Sequence, residues 1–340
     1  MADTKHIQLA HGGGGQLSAE LVRDVILPAL GGGQDPRHLT DAAVFQAQGA
    51  KLAFTTDSYV VQPLRFPGGD IGKLAVCGTI NDLAVAGSKP LAISLALVVQ
   101  EGLEIAVLRE MLESAGRAAQ AAGVPVVTGD TKVVGRDACD GLIMNTSGVG
   151  LMHPAARLGF DRIATGDAIL LSGPLGEHGL AVMSCRKGLS FSAELASDCA
   201  SIAELTAALL DEFGPAVHFM RDPTRGGLAA TLAEIAGGCG RDIEIHQTAI
   251  PVNRTVLAAA EMLGLDVLAA ANEGKLVAVL EPKLADKAVA ILAKHGLARQ
   301  AAVIGAVGAA GDTPIVEMVT DIGGRRVVQM PYGEELPRIC

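Results

Sequence analysis

Between residues 43 and 152 the chain alternates strand-like apolar runs with longer helical stretches. The runs KLAFTTDSYVV (51–61), LAISLALVV (91–99), VPVVTGDTKVV (124–134) and LIMNTSGVGLM (142–152) predict strands. Helices are predicted over about 72–87 and 104–122, the second stopped by Gly123 and Pro125. Upstream, SAELVRDVILPAL (18–30) sets Leu21, Val22, Val25 and Ile26 on one helical face, with Ser18 as the N-cap. GGGQDP (31–36) then breaks the chain.

A connection, HPAARLGFDRIATGD (153–167), leads into a second region that opens at AILLSGP. Its pattern predicts helices near 178–187, 199–213, 226–237, 255–263 and 284–295. Strands are expected near 168–172, 243–246, 276–280 and 302–308. Beyond Pro331, two prolines and Glu334–Glu335 predict an irregular, solvated tail ending at Cys340. The pattern divides the chain into an N-terminal glycine-rich segment and helix (1–42), an N-terminal α/β or α+β domain (43–152), a C-terminal α/β domain (153–330) and the tail (331–340).

With 340 residues, 19% of them charged, and a mean hydropathy of +0.37, the chain is unusually apolar for a soluble protein, which favours a homo-oligomer. The longest uncharged stretch, 141–156, is interrupted by Asn145, Thr146, Ser147, His153 and Pro154. A membrane span needs ~20 mostly apolar residues, and the first ten residues carry no secretory apolar core, so a cytoplasmic protein is expected. A net charge of −10 argues against nucleic-acid and anionic-membrane partners. The six cysteines form no CxxC pair. Cys77, Cys139, Cys185, Cys199 and Cys239 read as buried thiols among apolar or small neighbours, and Cys340 stands apart by position.

Candidate chemistry begins at His11-Gly12-Gly13-Gly14-Gly15, where backbone N–H groups next to a helix N-terminus could cradle an anion, or simply connect. GGDIGKL (68–74) misses the P-loop pattern, since Pro67 and Leu74 stand where glycine and Ser/Thr belong. Five aspartates interrupt apolar segments: Asp41, Asp57, Asp82, Asp130 and Asp222. Carboxylates so placed are costly to bury unless they bind a cation or accept several hydrogen bonds. Asp222-Pro223 also reads as an N-cap for a helix starting near Thr224, while Asp57 and Asp130 suit turns. Lys132 shares a strand face with Asp130, as a phosphate ligand or as half of a surface ion pair. Glu273 sits in a loop before an apolar strand. Ten extended residues from Pro331 reach at most ~33–36 Å, enough to insert the Cys340 thiol into a cleft and withdraw it.

Taken together, HGGGG (11–15), NDLAVAGSKP (81–90), VTGDTKVV (127–134), DPTRGGL (222–228) and the terminal PRIC resemble the HypE family of hydrogenase maturation proteins, over about residues 11–340. The resemblance implies a two-domain fold like that of aminoimidazole ribonucleotide synthetase, with N-terminal domains pairing their sheets into a β-barrel across a homodimer. It implies ATP between the domains with Mg²⁺ on Asp41, Asp82 and Asp222. His11 to Gly15 would cover the phosphates, Asp57 and Asp130 would position the nucleotide or its metal, and Lys132 would contact phosphate or move a proton. Glu273 would be the base and Cys340 the carrier. HypF would load a carbamoyl group on the terminal thiol, ATP-dependent dehydration would make a thiocyanate, and the cyanide would pass to HypC–HypD. A small-molecule kinase of the same fold, or a scaffold presenting Cys340, are the competing readings.

Overall fold

A computed structural model describes residues 6–30, 35, 38–189, 195–333 and 339–340. The GGGQDP break (Asp35 apart) and the Glu334–Glu335 stretch expected to be solvated lie outside the described residues. The first helix runs as α1 (Gln16–Leu21), a π turn (Val22–Ile26) and α2 (Leu27–Ala29). Its N-cap is Gly15, not Ser18. Ser18 lies inside the first turn, where its Oγ accepts the Gly14 N–H (3.0 Å) and donates to the His11 carbonyl (2.8 Å), tying the glycine segment to the helix. The expected apolar face is not buried. Val25 and Ile26 are exposed, and Leu17 is the anchor.

The N-terminal lobe contains β1 (Ala43–Ala47), β2 (Ala50–Tyr59), the small hairpin β3 (Arg65–Phe66) and β4 (Gly69–Asp70), α3 (Ile71–Val85), β5 (Ser88–Gln100), α4 (Ile105–Ala122), β6 (Val126–Val134) and β7 (Leu142–Met152). Five strands form one sheet in the order β1-β2-β7-β5-β6. All its pairings are antiparallel except β5–β6, whose parallel register requires the α4 crossover. Gly123 closes α4 in the left-handed conformation (φ 67°). The alternation of β2 turns Ala53, Thr55 and Tyr59 inward, and Asp57 shares that face by parity.

The C-terminal lobe contains β8 (Ala168–Leu171), α5 (Glu177–Arg186), α6 (Ala203–Phe213), β9 (Val217–Arg221), α7 (Gly227–Cys239), β10 (Arg241–His246), α8 (Arg254–Leu263), β11 (Val277–Leu280), α9 (Ala285–Leu292), β12 (Ala302–Ala310), β13 (Val316–Val319) and β14 (Arg325–Val327). Seven strands order as β14-β13-β10-β12-β8-β11-β9, mixed because β10 and β13 run parallel. The chain is thus a mixed α/β protein of two sheets. Strands β1, β9, β13 and β14 and the β3–β4 hairpin were not expected, being too short to stand out as periodic runs. Helix α7 starts at Gly227 with Gly226 as its N-cap, so Asp222 follows the end of β9 and does not cap the helix. Gly227 holds φ 60°, and a Cβ there would stand 2.5 Å from the Leu268 carbonyl oxygen. The thiols divide: Cys77, Cys199 and Cys340 are buried, Cys139 and Cys239 half-buried, and Cys185 is exposed, against expectation.

Helix α3 is hydrophobic nearly all round because it lies between the N-terminal sheet, α4 and the second lobe. The seam between lobes is held by Asn81 on this helix. Its amide donates to the carbonyls of Ala200 (3.0 Å) and Glu273 (3.3 Å), and its oxygen accepts the Ile202 N–H (2.8 Å). Replacing it strands buried groups on both sides, so Asn81→Ala is expected to cost about 2–4 kcal/mol. Chemical denaturation of the native and variant chains checks this.

Candidate active site

Three chain segments bring carboxylates together at the seam. Asp41 precedes β1, Asp82 projects from α3 one residue after Asn81, and Asp222 follows β9. Their oxygens lie within 4.8 Å of one another. Asp222 is 5% exposed. Asp82 accepts a hydrogen bond from the Thr55 hydroxyl (2.9 Å). Arg221, the residue before Asp222, reaches Asp41 (3.2 Å) and Glu234 (3.1 Å). Burial, and then mutual repulsion, push Asp82 well above the usual carboxylate range. Burial, and then Asp41, push Asp222 up to about 8, and Asp41 is raised by burial against the pull of Arg221. An all-oxygen set of crowded, anion-capable groups is the donor chemistry of a hard divalent cation.

Beside this cluster, Asp57, Tyr59, Gly78, Asp82, Asp222, Arg225, Glu273 and Cys340 line one recess. The terminal thiol points into it. Glu273 is 2% exposed, and its Oε1 has no hydrogen-bond partner among the described residues, an orphaned acceptor facing the recess. Burial, and then Asp222 and Asp198, raise Glu273 well above the usual range. Burial also raises the Cys340 thiol; Arg225 pulls the other way, and Glu273 and Asp57 add to the rise. The docked thiol is therefore protonated. Docking does not activate it.

The loop carrying Glu273 is fixed from behind. Asp198 accepts the N–H groups of Glu273 (3.1 Å) and Gly274 (3.2 Å), and Lys275 bridges Asp198 and Glu177, each at 2.9 Å. Burial works against the Asp198 carboxylate, but Lys275 and its other partners outweigh it and hold Asp198 below its usual range. The Asn272 amide oxygen accepts the Gly176 N–H (2.8 Å), and its amide nitrogen donates to the Pro223 carbonyl (2.9 Å).

A cavity of about 370 Å³ adjoins the recess, lined by Gly12, Gly13, Val60, Arg225, Ile339 and Cys340 among others, within the size range of ligand pockets. The glycine segment borders it, but the N–H groups of His11, Gly13 and Gly14 are already bonded to Gln8, Ala10 and Ser18. His11 is buried; its Nδ1 accepts the Gln8 N–H (3.0 Å) while its backbone N–H donates to the Gln8 carbonyl (3.0 Å). Gly14 and Gly15 border a neighbouring cavity of about 450 Å³. Arg225, between the two lobes, donates to the Gly12 carbonyl (3.2 Å) and lies 3.8 Å from Asp57.

Of the residues singled out in the sequence, the fold gathers Asp41, Asp57, Asp82, Asp222, Glu273 and Cys340, with Gly12 and Gly13 at the rim. Asp130 and Lys132 are elsewhere in this chain. They stand on exposed β6 and pair with each other at 3.4 Å, the surface ion pair that the strand spacing also allowed. Arg221 and Arg225 were not singled out, although Arg225 lies within DPTRGGL and Arg221 directly precedes it, so cations flanking Asp222 were the available signal. It also missed Asn81 and Asn272, one residue from Asp82 and Glu273.

Both halves of the chain are those of AIR synthase related proteins: the N-terminal domain model matches residues 39–152 and the C-terminal domain model residues 164–317. Carbamoyl dehydratase HypE of Bradyrhizobium diazoefficiens is 46% identical over 98% of this chain and 96% of its own length. A crystal structure of a HypE in complex with ATP superposes with a TM-score of 0.82 at 44% identity, covering 97% of this chain and 98% of that one. A HypE–HypF complex gives 0.85 at 40% identity, over 92% and 99%. The chain belongs to the HypE family.

The crowded acids give the cation-free chain a defined pH response. Asp222 titrates near 8 in the folded chain and near 3.8 when free, so between those values the folded state holds the extra proton. Stability contributed by that proton is complete below the lower value and is lost as pH rises through the upper one. The melting temperature without divalent cations is expected to fall from pH 5 to pH 8.5, and Asp222→Asn is expected to flatten that slope. Calorimetry across the range checks both.

Proposed function

We propose that the chain is an ATP-dependent carbamoyl dehydratase of nickel–iron hydrogenase maturation, acting on a carbamoyl group carried by its own Cys340. The observation that carries this reading is the terminal thiol seated against Glu273 and Arg225, beside three clustered aspartates. A kinase of the same fold has no use for such a residue.

The substrate is the thiocarboxamide on Cys340. Its carbonyl oxygen attacks the γ-phosphorus of ATP, the bond to ADP breaks, and the nitrogen releases its first proton to give an imidate phosphate. Loss of that phosphate together with the second N–H proton leaves S–C≡N, ADP and phosphate. Glu273 is the candidate acceptor of that proton: it is buried in the recess beside Cys340, with an oxygen that has no partner among the described residues. Lys132, the alternative, stands on exposed β6 away from the recess and would have to reach it from a second chain. Asp41, Asp82 and Asp222 would hold Mg²⁺, which when bound supplies positive charge to the transferring phosphoryl group. Gly12 to Gly15 would border the phosphates, with Asp57 and Arg225 at the thiol end. Because the docked thiol is protonated, it is a poor nucleophile there; carbamoylation therefore belongs to the undocked tail, and a neutral thiocarboxamide re-enters at little electrostatic cost.

In this reading the carbamoyl donor is HypF and the cyanide acceptor the HypC–HypD complex, in the cytoplasm. No described helix is long and apolar enough to cross a membrane. The working unit is a homodimer joined through the N-terminal sheets of residues 43–152, with residues 153–330 as the outer lobe. Support comes from apolar side chains left exposed on β1, β2, β5, β6 and β7, including Phe45, Phe54, Leu91, Val127, Val133 and Leu151.

Intact mass of the C-terminal peptide after treatment with HypF, carbamoyl phosphate and ATP tests the reading. A carbamoyl adduct on Cys340 is expected, losing the mass of one water only when ATP is supplied for the second step. Cyanide delivery by a Cys340→Ala chain would sink the scheme. Asp82→Asn is expected to lose at least tenfold in ATP-dependent dehydration, consistent with removal of a charge-stabilising contact, and to lose the melting-temperature gain that Mg²⁺ gives the native chain. Unchanged turnover would remove Asp82 from the metal set.

A further inference from the structure

We infer that His178 is the positioning residue that holds the terminal segment in the active site, acting through the Ile339 carbonyl next to the carrier cysteine. His178 is completely buried in the first turn of α5. Its Nε2 lies 2.9 Å from the Ile339 oxygen and its Nδ1 2.8 Å from the Ser197 Oγ. The carbonyl can only accept, so Nε2 carries the hydrogen. Burial lowers the proton affinity of the ring, leaving it neutral, so Nδ1 accepts from the Ser197 hydroxyl. The Ser197 oxygen in turn accepts the Cys199 N–H at 3.0 Å. The relay therefore runs one way, from the Cys199 amide through Ser197 and His178 to the tail.

Each member is anchored on the same seam that presents Glu273. The Ser197 N–H donates to Pro67 of the β3–β4 hairpin (2.7 Å), and Phe66 of that hairpin packs edge-on against the imidazole, centroids 5.3 Å apart at 88°. The Gly179 N–H, next to His178, donates to the Ala271 carbonyl (3.0 Å). Asp198, between Ser197 and Cys199, accepts the N–H groups of Glu273 and Gly274. One short segment thus sets both the tail carbonyl and the Glu273 backbone, so the thiol and the carboxyl meet in a fixed relation. A neutral ring suits this task, because it grips the backbone without adding charge to a recess already crowded with acids. His178 touches neither the thiol nor the transferred group.

The inference builds on the dehydratase reading, but docking is measurable without turnover. Alkylation of Cys340 by iodoacetamide, followed as mass of the C-terminal peptide, reads how often the tail leaves the site; the exposed Cys185 serves as reference in the same sample. His178→Leu removes the donor and is expected to speed Cys340 alkylation roughly tenfold, the scale of one lost hydrogen bond, with Cys185 unchanged. His178→Gln keeps a donor amide near the Nε2 position and is expected to restore most of the protection. If His178→Leu also opens the buried Cys77 and Cys199, it has unfolded, and Ser197→Ala decides; there a rise of roughly threefold is expected from losing the partner that fixes the tautomer. Protection equal to the native chain's in a folded His178→Leu, or in Ser197→Ala where that variant decides, overturns the inference. With carbamoylated chain, His178→Leu is expected to slow ATP-dependent loss of water, while HypF-dependent loading, which uses the undocked tail, is not slowed. Should no variant or native chain dehydrate at all, the function reading fails, while the alkylation result still judges the latch.

Discussion

The structure depends on one electrostatic constraint: Asp41, Asp57, Asp82, Asp222 and Glu273 converge at the seam between the lobes, facing the guanidinium groups of Arg221 and Arg225. Removing carboxylates from water without matched partners is expensive, and these groups respond by holding protons. Such an arrangement survives only where the surrounding scaffold is stiff. That explains why α3 is buried on nearly every side, and why the lobes are joined by the fully used amide of Asn81. Asn81 across the seam, and Asn272 within the C-terminal lobe, carry no charge and satisfy several backbone groups each, so they fix the Glu273 loop without adding to the repulsion.

The same constraint shapes the chemistry at the chain end. A thiolate at Cys340 would be one more anion among acids, so the docked thiol stays protonated and inert. A carrier whose loaded and unloaded forms are both neutral can use this recess; an activated nucleophile cannot. Buried acids held partly protonated are likewise ready to exchange protons for a metal ion and the charge of a triphosphate, since metal binding requires the deprotonated ligand. The recess costs stability when empty and gains it when filled, which is the energetic form expected of a binding site rather than of a structural core.

Long segments were readable in the sequence: β2, β5 and β7, and helices α3 and α4, each bury a broad face, and β6, although exposed, is rich in valine, so all fall close to where the pattern set them. The strands that escaped, β1, β9, β13 and β14 with the β3–β4 hairpin, span five residues or fewer and owe their state to their strand neighbours, not to their own pattern. Ser18 misled for a different reason. Its side chain does make the hydrogen bonds of a capping residue, but to the preceding glycine turn. The acidic cluster was legible because an aspartate inside an apolar run demands an explanation. His178 was not, since a single histidine at the start of a helix carries no such demand until the tail is placed against it.

Asp130 and Lys132 bear on what one chain can contain. Both are fully on the open side of β6, a strand exposed along nearly its whole length, and they answer only to each other. A charged pair flanked by Val126, Val127 and Val133, all exposed, is poor design for a free edge, where lone apolar strands invite pairing. It is sound design for a strand that a second copy covers. Covering β6 would desolvate the pair and place it beside whatever the partner sheet presents. In one chain, then, the pair is a surface feature of an uncovered strand, set apart from the recess that holds Glu273 and Cys340.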